Sequence, residues 1–156
     1  MSKRIDAAAV VPVIGTLYPP PFDAPCRKRE RSRLGDLAGL TQFGVNLLRL
    51  APGTWSSQRH WHSHEDEFIY VLAGEVALVT DAGVEVLHAG DAAGFKAGDP
   101  DGHHLQNRSG TEALVLEVGS RAPALDTTTY PGLDLLAPPG ESITFTHLDG
   151  RPYQKR

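Results

Sequence analysis

The sequence predicts an all-β fold, a sandwich or barrel of short antiparallel strands. Three observations carry this. Glycine-bounded, β-rich runs follow one another at about one per eight to ten residues between Leu40 and Ser120. No segment before residue 120 sustains a helical period. Sixteen glycines and twelve prolines are scattered as turn punctuation, with no repeat of solenoid length. At 156 residues the chain is long enough for one domain with its own core. An apolar fraction of 40% and a charged fraction of 22% are ordinary for a globular protein.

Taken in order, residues 1–36 read as an irregular N-terminal arm, because "YPPPFDAPC" is proline-rich and extended. Within it, "CRKRERSR" from Cys26 to Arg33 holds five basic residues against Glu30 alone. It reads as a solvated loop face, with a phosphate-contacting or interface patch as the alternative. Residues 37–121 read as the barrel core. "TQFGVNLLRL" alternates as a strand should, and "APG" ends it. "EFIYVLAG", "EVALVTDAG", "VEVLHAGD" and "AAGFKAG" follow, each closed by glycine, with a hairpin turn expected at Asp81 to Gly83. "HHLQNRSG" and "EALVLEVGS" supply two more strands. Residues 122–156 read as a tail with "SITFTH" as its one strand-like run, packing on the barrel or on a partner subunit.

The net charge of −4 offers no footprint for nucleic acid or an anionic membrane, and no helix-turn-helix pattern is present. No apolar run approaches the ~20 residues of a membrane span. The N-terminus imitates a signal peptide, but Asp6 and Pro12 interrupt it and no small-x-small cleavage site follows. A single cysteine, Cys26, excludes an intrachain disulfide and favours a reducing compartment, the cytoplasm. No phosphate-binding loop, dinucleotide fingerprint or nucleophile elbow appears.

The chemistry concentrates in "RHWHSHEDEFIYVLAGE", Arg59 to Glu75, where three of the chain's seven histidines fall within five residues. On a strand, His60 and His62 share one face and Trp61 takes the other. Two imidazoles so placed can converge on one metal ion. Glu67 can return from the "SHED" bend to a third corner. Imidazole with carboxylate suits zinc, iron, manganese, nickel or copper. "DGHHLQN" offers His103 or His104 as a fourth ligand, about forty residues on, a natural distance for a return strand. Taken alone, the His-x-His pair also suits surface or core histidines, and His62 with His64 is an equally good pair.

The spacing of these residues resembles the cupin superfamily. That family's first motif is a glycine, His-x-His, three or four residues, a glutamate, six residues and a glycine. Here His60-Trp61-His62 is followed by four residues, Glu67, six residues and Gly74. The leading glycine, Gly53, stands one residue further off than usual. Starting from His62 and His64 would put Phe68 or Ile69 where the glutamate belongs, so the resemblance selects His60 and His62. The second motif runs from Gly90 through Lys96-Ala97-Gly98 to His103 and Asn107. Lys96 replaces the usual proline, and the gap before the histidine is two residues longer. The spacing to Asn107 selects His103 over His104.

The resemblance implies a single double-stranded β-helix, or jelly-roll, barrel with extended arms. It implies one divalent metal ion (zinc, iron, manganese or nickel) held by His60, His62, Glu67 and His103. It also implies resemblance to small bacterial cupins, some loosely named sugar-phosphate isomerase-like. Such an ion leaves coordination positions open to polarise a carbonyl or hydroxyl of a small-molecule substrate. The expected function is isomerase or lyase chemistry on a sugar phosphate or a hydroxy or keto acid. Iron-dependent dioxygenation and non-catalytic ligand sensing are the alternatives. His64 is the spare titratable group nearest the site and the catalytic candidate, with His104 next. Tyr70 is expected to pack, His88 to lie at the surface and Asn107 to serve as a structural hydrogen-bond partner. Arg59, Lys96 and Arg108 flank the motifs and read as solvated cations, with binding of an anionic substrate at the barrel mouth as the alternative. A homodimer is expected, because small cupins are commonly dimers and proline-rich arms suit one.

Overall fold

A computed structural model describes residues 2–154. Twelve strands follow in chain order: β1 Val13–Ile14, β2 Glu30–Arg33, β3 Phe43–Leu50, β4 Trp61–His62, β5 Glu67–Ala73, β6 Glu75–Thr80, β7 Gly83–His88, β8 Ala92–Phe95, β9 His104–Gln106, β10 Ala113–Ser120, β11 Thr128–Thr129 and β12 Leu136–Ala137. A single turn of α-helix, α1 Leu34–Leu37, joins β2 to β3. Six strands form one sheet in the order β1-β2-β3-β10-β5-β8. Opposite it lie β7-β6-β9 and the small sheet β12-β11-β4. Every pairing is antiparallel. The fold is all-β, as its sequence predicts.

Alternation explains the core. On β5, Ile69 and Val71 point inward and are buried, while Phe68, Tyr70 and Leu72 point out. Leu48 and Leu50 of β3, Val76 and Leu78 of β6, Leu105 of β9 and Val115 of β10 meet them in one cluster. Burial of such aliphatic side chains stabilises the sandwich by roughly 1.5–3 kcal/mol each before the cost of ordering the chain. The turn at Asp81 closes the β6–β7 hairpin, with Thr80 paired to Gly83. Asn107 is buried, and its side-chain amide donates to the carbonyls of Leu50 and Thr111 at 2.8 Å each.

The ends of the chain differ from the irregular arms expected. The N-terminal segment contributes β1 and β2 to the large sheet. The basic stretch is therefore not a solvated loop: β2 pairs with β3, Arg31 opposite Leu48. Its alternation is that of a strand whose inner face lines a polar cleft, so arginines stand where core residues usually announce a strand. The tail forms β11 and β12, and Thr146 bridges to Leu136. Both ends meet in a second cluster of Tyr18, Cys26, Tyr130, Leu135 and Ala137. Tyr18 packs on Phe145 with ring centroids 5.2 Å apart. No helix among the described residues is long and apolar enough to cross a membrane.

Candidate metal centre

Three histidines reach one glutamate by three different routes. His60 and His103 form an isolated antiparallel bridge, exchanging backbone hydrogen bonds at 3.1 and 2.9 Å. Their rings therefore stand side by side, with centroids 4.8 Å apart. His62 lies two residues on in β4, opposite Thr128 of β11. Glu67 opens β5, paired with Gly119 and Phe95. Its Oε2 lies 2.7 Å from His103 Nε2, 3.3 Å from His60 Nε2 and 3.5 Å from His62 Nε2.

The two longer spacings suit an ion, and the shortest is a hydrogen bond between His103 Nε2 and Glu67 Oε2. Ligand atoms held about 2.0–2.2 Å from a metal lie roughly 3.0–3.5 Å from one another in tetrahedral or octahedral arrangements. His60, His62 and Glu67 form a group able to hold a metal ion. The ring orientations agree with this. His60 Nδ1 donates to the Gln58 carbonyl at 2.8 Å, and His62 Nδ1 donates to Asp126 Oδ2 at 2.6 Å. Each bond fixes the ring and turns Nε2 toward the centre, the arrangement that outer partners impose on metal-binding histidines. His103 is held differently. Its ring stacks on Phe95 at 3.5 Å, nearly parallel, and its buried Nδ1 has no hydrogen-bond partner among the described residues.

The group is strongly coupled. Burial alone would raise the carboxyl of Glu67, but His60, His103 and His62 outweigh it and hold that carboxyl well below its ordinary range. Burial likewise lowers His62, but Glu67 and Asp126 reverse the shift and push it up to about 9. His103 is lowered, chiefly by burial.

The remaining candidates lie elsewhere. His64 is exposed, with its Nδ1 on Ser63 Oγ at 2.8 Å and its backbone N–H on Asp126, and it does not join the other three histidines. His104 is buried, donating from Nδ1 to the Ser57 carbonyl at 2.8 Å and packing edge-on against Trp55. His88 is exposed beside Glu75. Arg59 pairs with Asp81 and Arg108 with Gln106, whereas Lys96 lines a pocket of about 210 Å³ beside His62 and His103.

Sequence reasoning missed Asp126, Tyr130 and the arginines of β2. A larger cleft of about 570 Å³ contains His60, His62, Glu67 and His103 together with Tyr18, Arg29, Arg31, Glu117, Asp126 and Tyr130. Period-two spacing was the available signal: Asp126, Thr128 and Tyr130 in the tail, and Arg29, Arg31 and Arg33 in the arm.

Fold and site together define a jelly-roll barrel with a histidine–carboxylate group at its open end. The chain belongs to the cupin superfamily. The Cupin domain family matches residues 46–119, from within β3 to within β10. A solved sugar phosphate isomerase of the cupin superfamily from Silicibacter pomeroyi is 41% identical, with 97% of this chain and 96% of that one covered and a TM-score of 0.90. A protein from Acidithiobacillus ferrooxidans, provisionally called a sugar phosphate isomerase, is 25% identical over 83% of this chain and 82% of that one, at a TM-score of 0.71. The polyketide cyclase RemF from Streptomyces resistomycificus shares the fold at 23% identity and a TM-score of 0.62, over 77% of this chain and 80% of that one. No curated protein matched the chain.

Proposed function

We propose that this cupin is a metal-dependent enzyme of the isomerase or lyase type. Its substrate is a small polar molecule, a sugar phosphate or a hydroxy or keto acid. His60, His62, Glu67 and His103 are the proposed ligands of one divalent ion. The observation that carries the reading is the convergence of three imidazole Nε2 atoms on Glu67 Oε2 within 3.5 Å. The names of the two most similar solved structures described above point the same way.

A bound ion would supply Lewis acidity toward a carbonyl or hydroxyl oxygen. The chain's own residues do the rest. Asp126 and Gln58 hold two of the imidazoles in register. Glu67 acts as ligand and not as base, because its carboxyl is held well below the ordinary range and so is a weak proton acceptor. Tyr130 sits in the cleft with its ring 5.9 Å from that of His60. Burial keeps its hydroxyl protonated, and that hydroxyl is engaged by Tyr18, so Tyr130 serves as a fixed wall of the cleft. His64, outside the cleft, supplies no ligand in this proposal, and its role in acid–base catalysis is tested alongside. The protein is further proposed to be a cytoplasmic homodimer.

The test is elemental analysis of protein purified without added metal, followed by a turnover screen with sugar phosphates and hydroxy and keto acids. Turnover that requires the metal supports the proposal. Oxygen consumption with iron alone would make the protein a dioxygenase. Tight ligand binding without turnover under any metal would make it a sensor.

A further inference from the structure

The basic segment leading into β2 brings Arg29 and Arg31 to the cleft, and they are not equivalent. Arg31 meets Glu117 in a bidentate pair, Nε to Oε2 at 2.7 Å and Nη2 to Oε1 at 2.9 Å. Its charge is matched. Arg29 is half-buried and has only carbonyl oxygens for partners: Nε donates to Gly15 O at 2.9 Å, and Nη1 donates to Ser56 O. No carboxylate among the described residues pairs with it. A guanidinium carries five N–H donors, so this arrangement leaves donors unused beside an unmatched charge. Burial, with Arg31 nearby, lowers the Arg29 pKa, and the more distant Glu117 only partly offsets this.

Arg29 also shares its cleft with the metal group, linked to it by a series of ring contacts. Its guanidinium carbon is 6.0 Å from the centroid of the Tyr18 ring. Tyr18 packs edge-on against Tyr130 at 5.6 Å, and Tyr130 lies 5.9 Å from His60. All four residues line the same cleft. The Glu67 side is the acidic end, and Arg29 is the cationic end.

We propose that Arg29 anchors the anionic end of the substrate, a phosphate monoester or a carboxylate, while its hydroxyl or carbonyl end reaches the His60–His62–Glu67–His103 group. The proposal rests on that group being the reactive centre, and it adds the requirement that the substrate carry a negative charge at its far end. Planar guanidinium recognition of phosphate or carboxylate oxygens is the chemistry involved.

The experiment is calorimetric titration of the full chain with inorganic phosphate, with acetate and with neutral glycerol. Each is run on metal-loaded and on chelator-stripped protein. At least one of the two anions is expected to bind saturably in both forms, and glycerol in neither. The tighter anion names the acid class. Arg29→Met is expected to weaken that binding about tenfold or more, with bound metal unchanged, and Arg29→Lys to recover part of it. Because Arg29 also ties Gly15 and Ser56, crystals of the wild type grown with phosphate or acetate give a second reading, with anion oxygens expected on its guanidinium. The proposal is overturned if neither anion binds, if Arg29→Met binds as the wild type does, or if the anion sits elsewhere in the crystal. Binding that survives Arg29→Met but vanishes with the metal would place the anion on the ion instead. The stripped arm separates the two readings: loss of the metal proposal leaves anion binding at Arg29 intact, and the reverse also holds.

Discussion

His62 is gripped at both ends of its ring, by Glu67 on one nitrogen and Asp126 on the other. If Asp126 works as an orienting partner, Asp126→Asn should lower metal affinity about 10–100-fold without abolishing binding at saturating metal. Metal titration followed by elemental analysis checks this. His60→Ala and His103→Ala should lose the ion, and His64→Ala should keep it. Equal loss in all three would show that the ligand register is wrong. His104 makes a different prediction. Its Nδ1–H donates to Ser57 O, and its Nε2 accepts from the Gln106 amide at 2.9 Å, so the neutral ring is fully satisfied. Burial brings its pKa down to about 4. The unfolded chain takes up this proton near pH 6.5 and the folded chain only near 4. The stability that the neutral ring contributes is therefore complete above pH 6.5 and lost as pH falls toward 4. Chelator-treated wild type should lose on the order of 2–3 kcal/mol more than His104→Gln between pH 7.5 and 4.5, measured by urea denaturation.

At the scale of elements, the glycine that closes the first motif is a steric requirement. Gly74 turns β5 into β6 at φ +73°, and a Cβ there would lie 2.6 Å from the Glu112 carbonyl oxygen. Gly53 has φ +80° with nothing within 4 Å of that position. Gly53→Ala should cost about 1 kcal/mol from left-handed backbone alone. Gly74→Ala should cost distinctly more, because backbone must shift as well, and urea midpoints at equal slopes measure the difference. The same contrast explains what was legible in advance. Strands β3, β5, β6 and β10 could be read because each carries buried aliphatic residues, and glycines such as Gly53 and Gly74 mark the corners after β3 and β5. Strand β2 could not, because its cleft-facing residues are Arg31 and Arg33, and charge at period two looks like solvation. Strands β11 and β12 are two residues long, too short for an alternation of polar side chains to stand out in the tail. Asp126 stayed hidden for a related reason. It is one of nineteen acids, and its role arises from a contact across 64 positions of sequence. The histidines and Glu67 declared themselves because they crowd into one short stretch, whereas the partners that orient them are scattered.

At the scale of the whole molecule, the two faces of the large sheet differ. The inner face carries the core and the cleft. The outer face leaves Phe43, Phe68, Tyr70 and Leu72 exposed around half-buried Val45, Leu47, Leu116 and Val118. Cross-strand pairs make this one surface: Leu116 lies opposite both Leu47 and Tyr70, and Val118 opposite both Val45 and Phe68. These residues lie on the three central strands β3, β10 and β5, which at about 4.8 Å apart and roughly 26 Å long present about 370 Å² in plan. That area supplies the apolar centre of the ~800 Å² that each partner of a stable dimer buries. A second copy of the chain is its proposed occupant. Tyr70→Glu should therefore convert a dimer into a monomer in light scattering after gel filtration. Metal content should not change, since Tyr70 and Glu67 project from opposite faces of β5. A dimer that persists with unaltered dissociation constant in both Tyr70→Glu and Leu72→Glu would move the interface off this sheet. The cleft opens on the other face, so in this arrangement two reactive centres face away from the dimer contact and work independently.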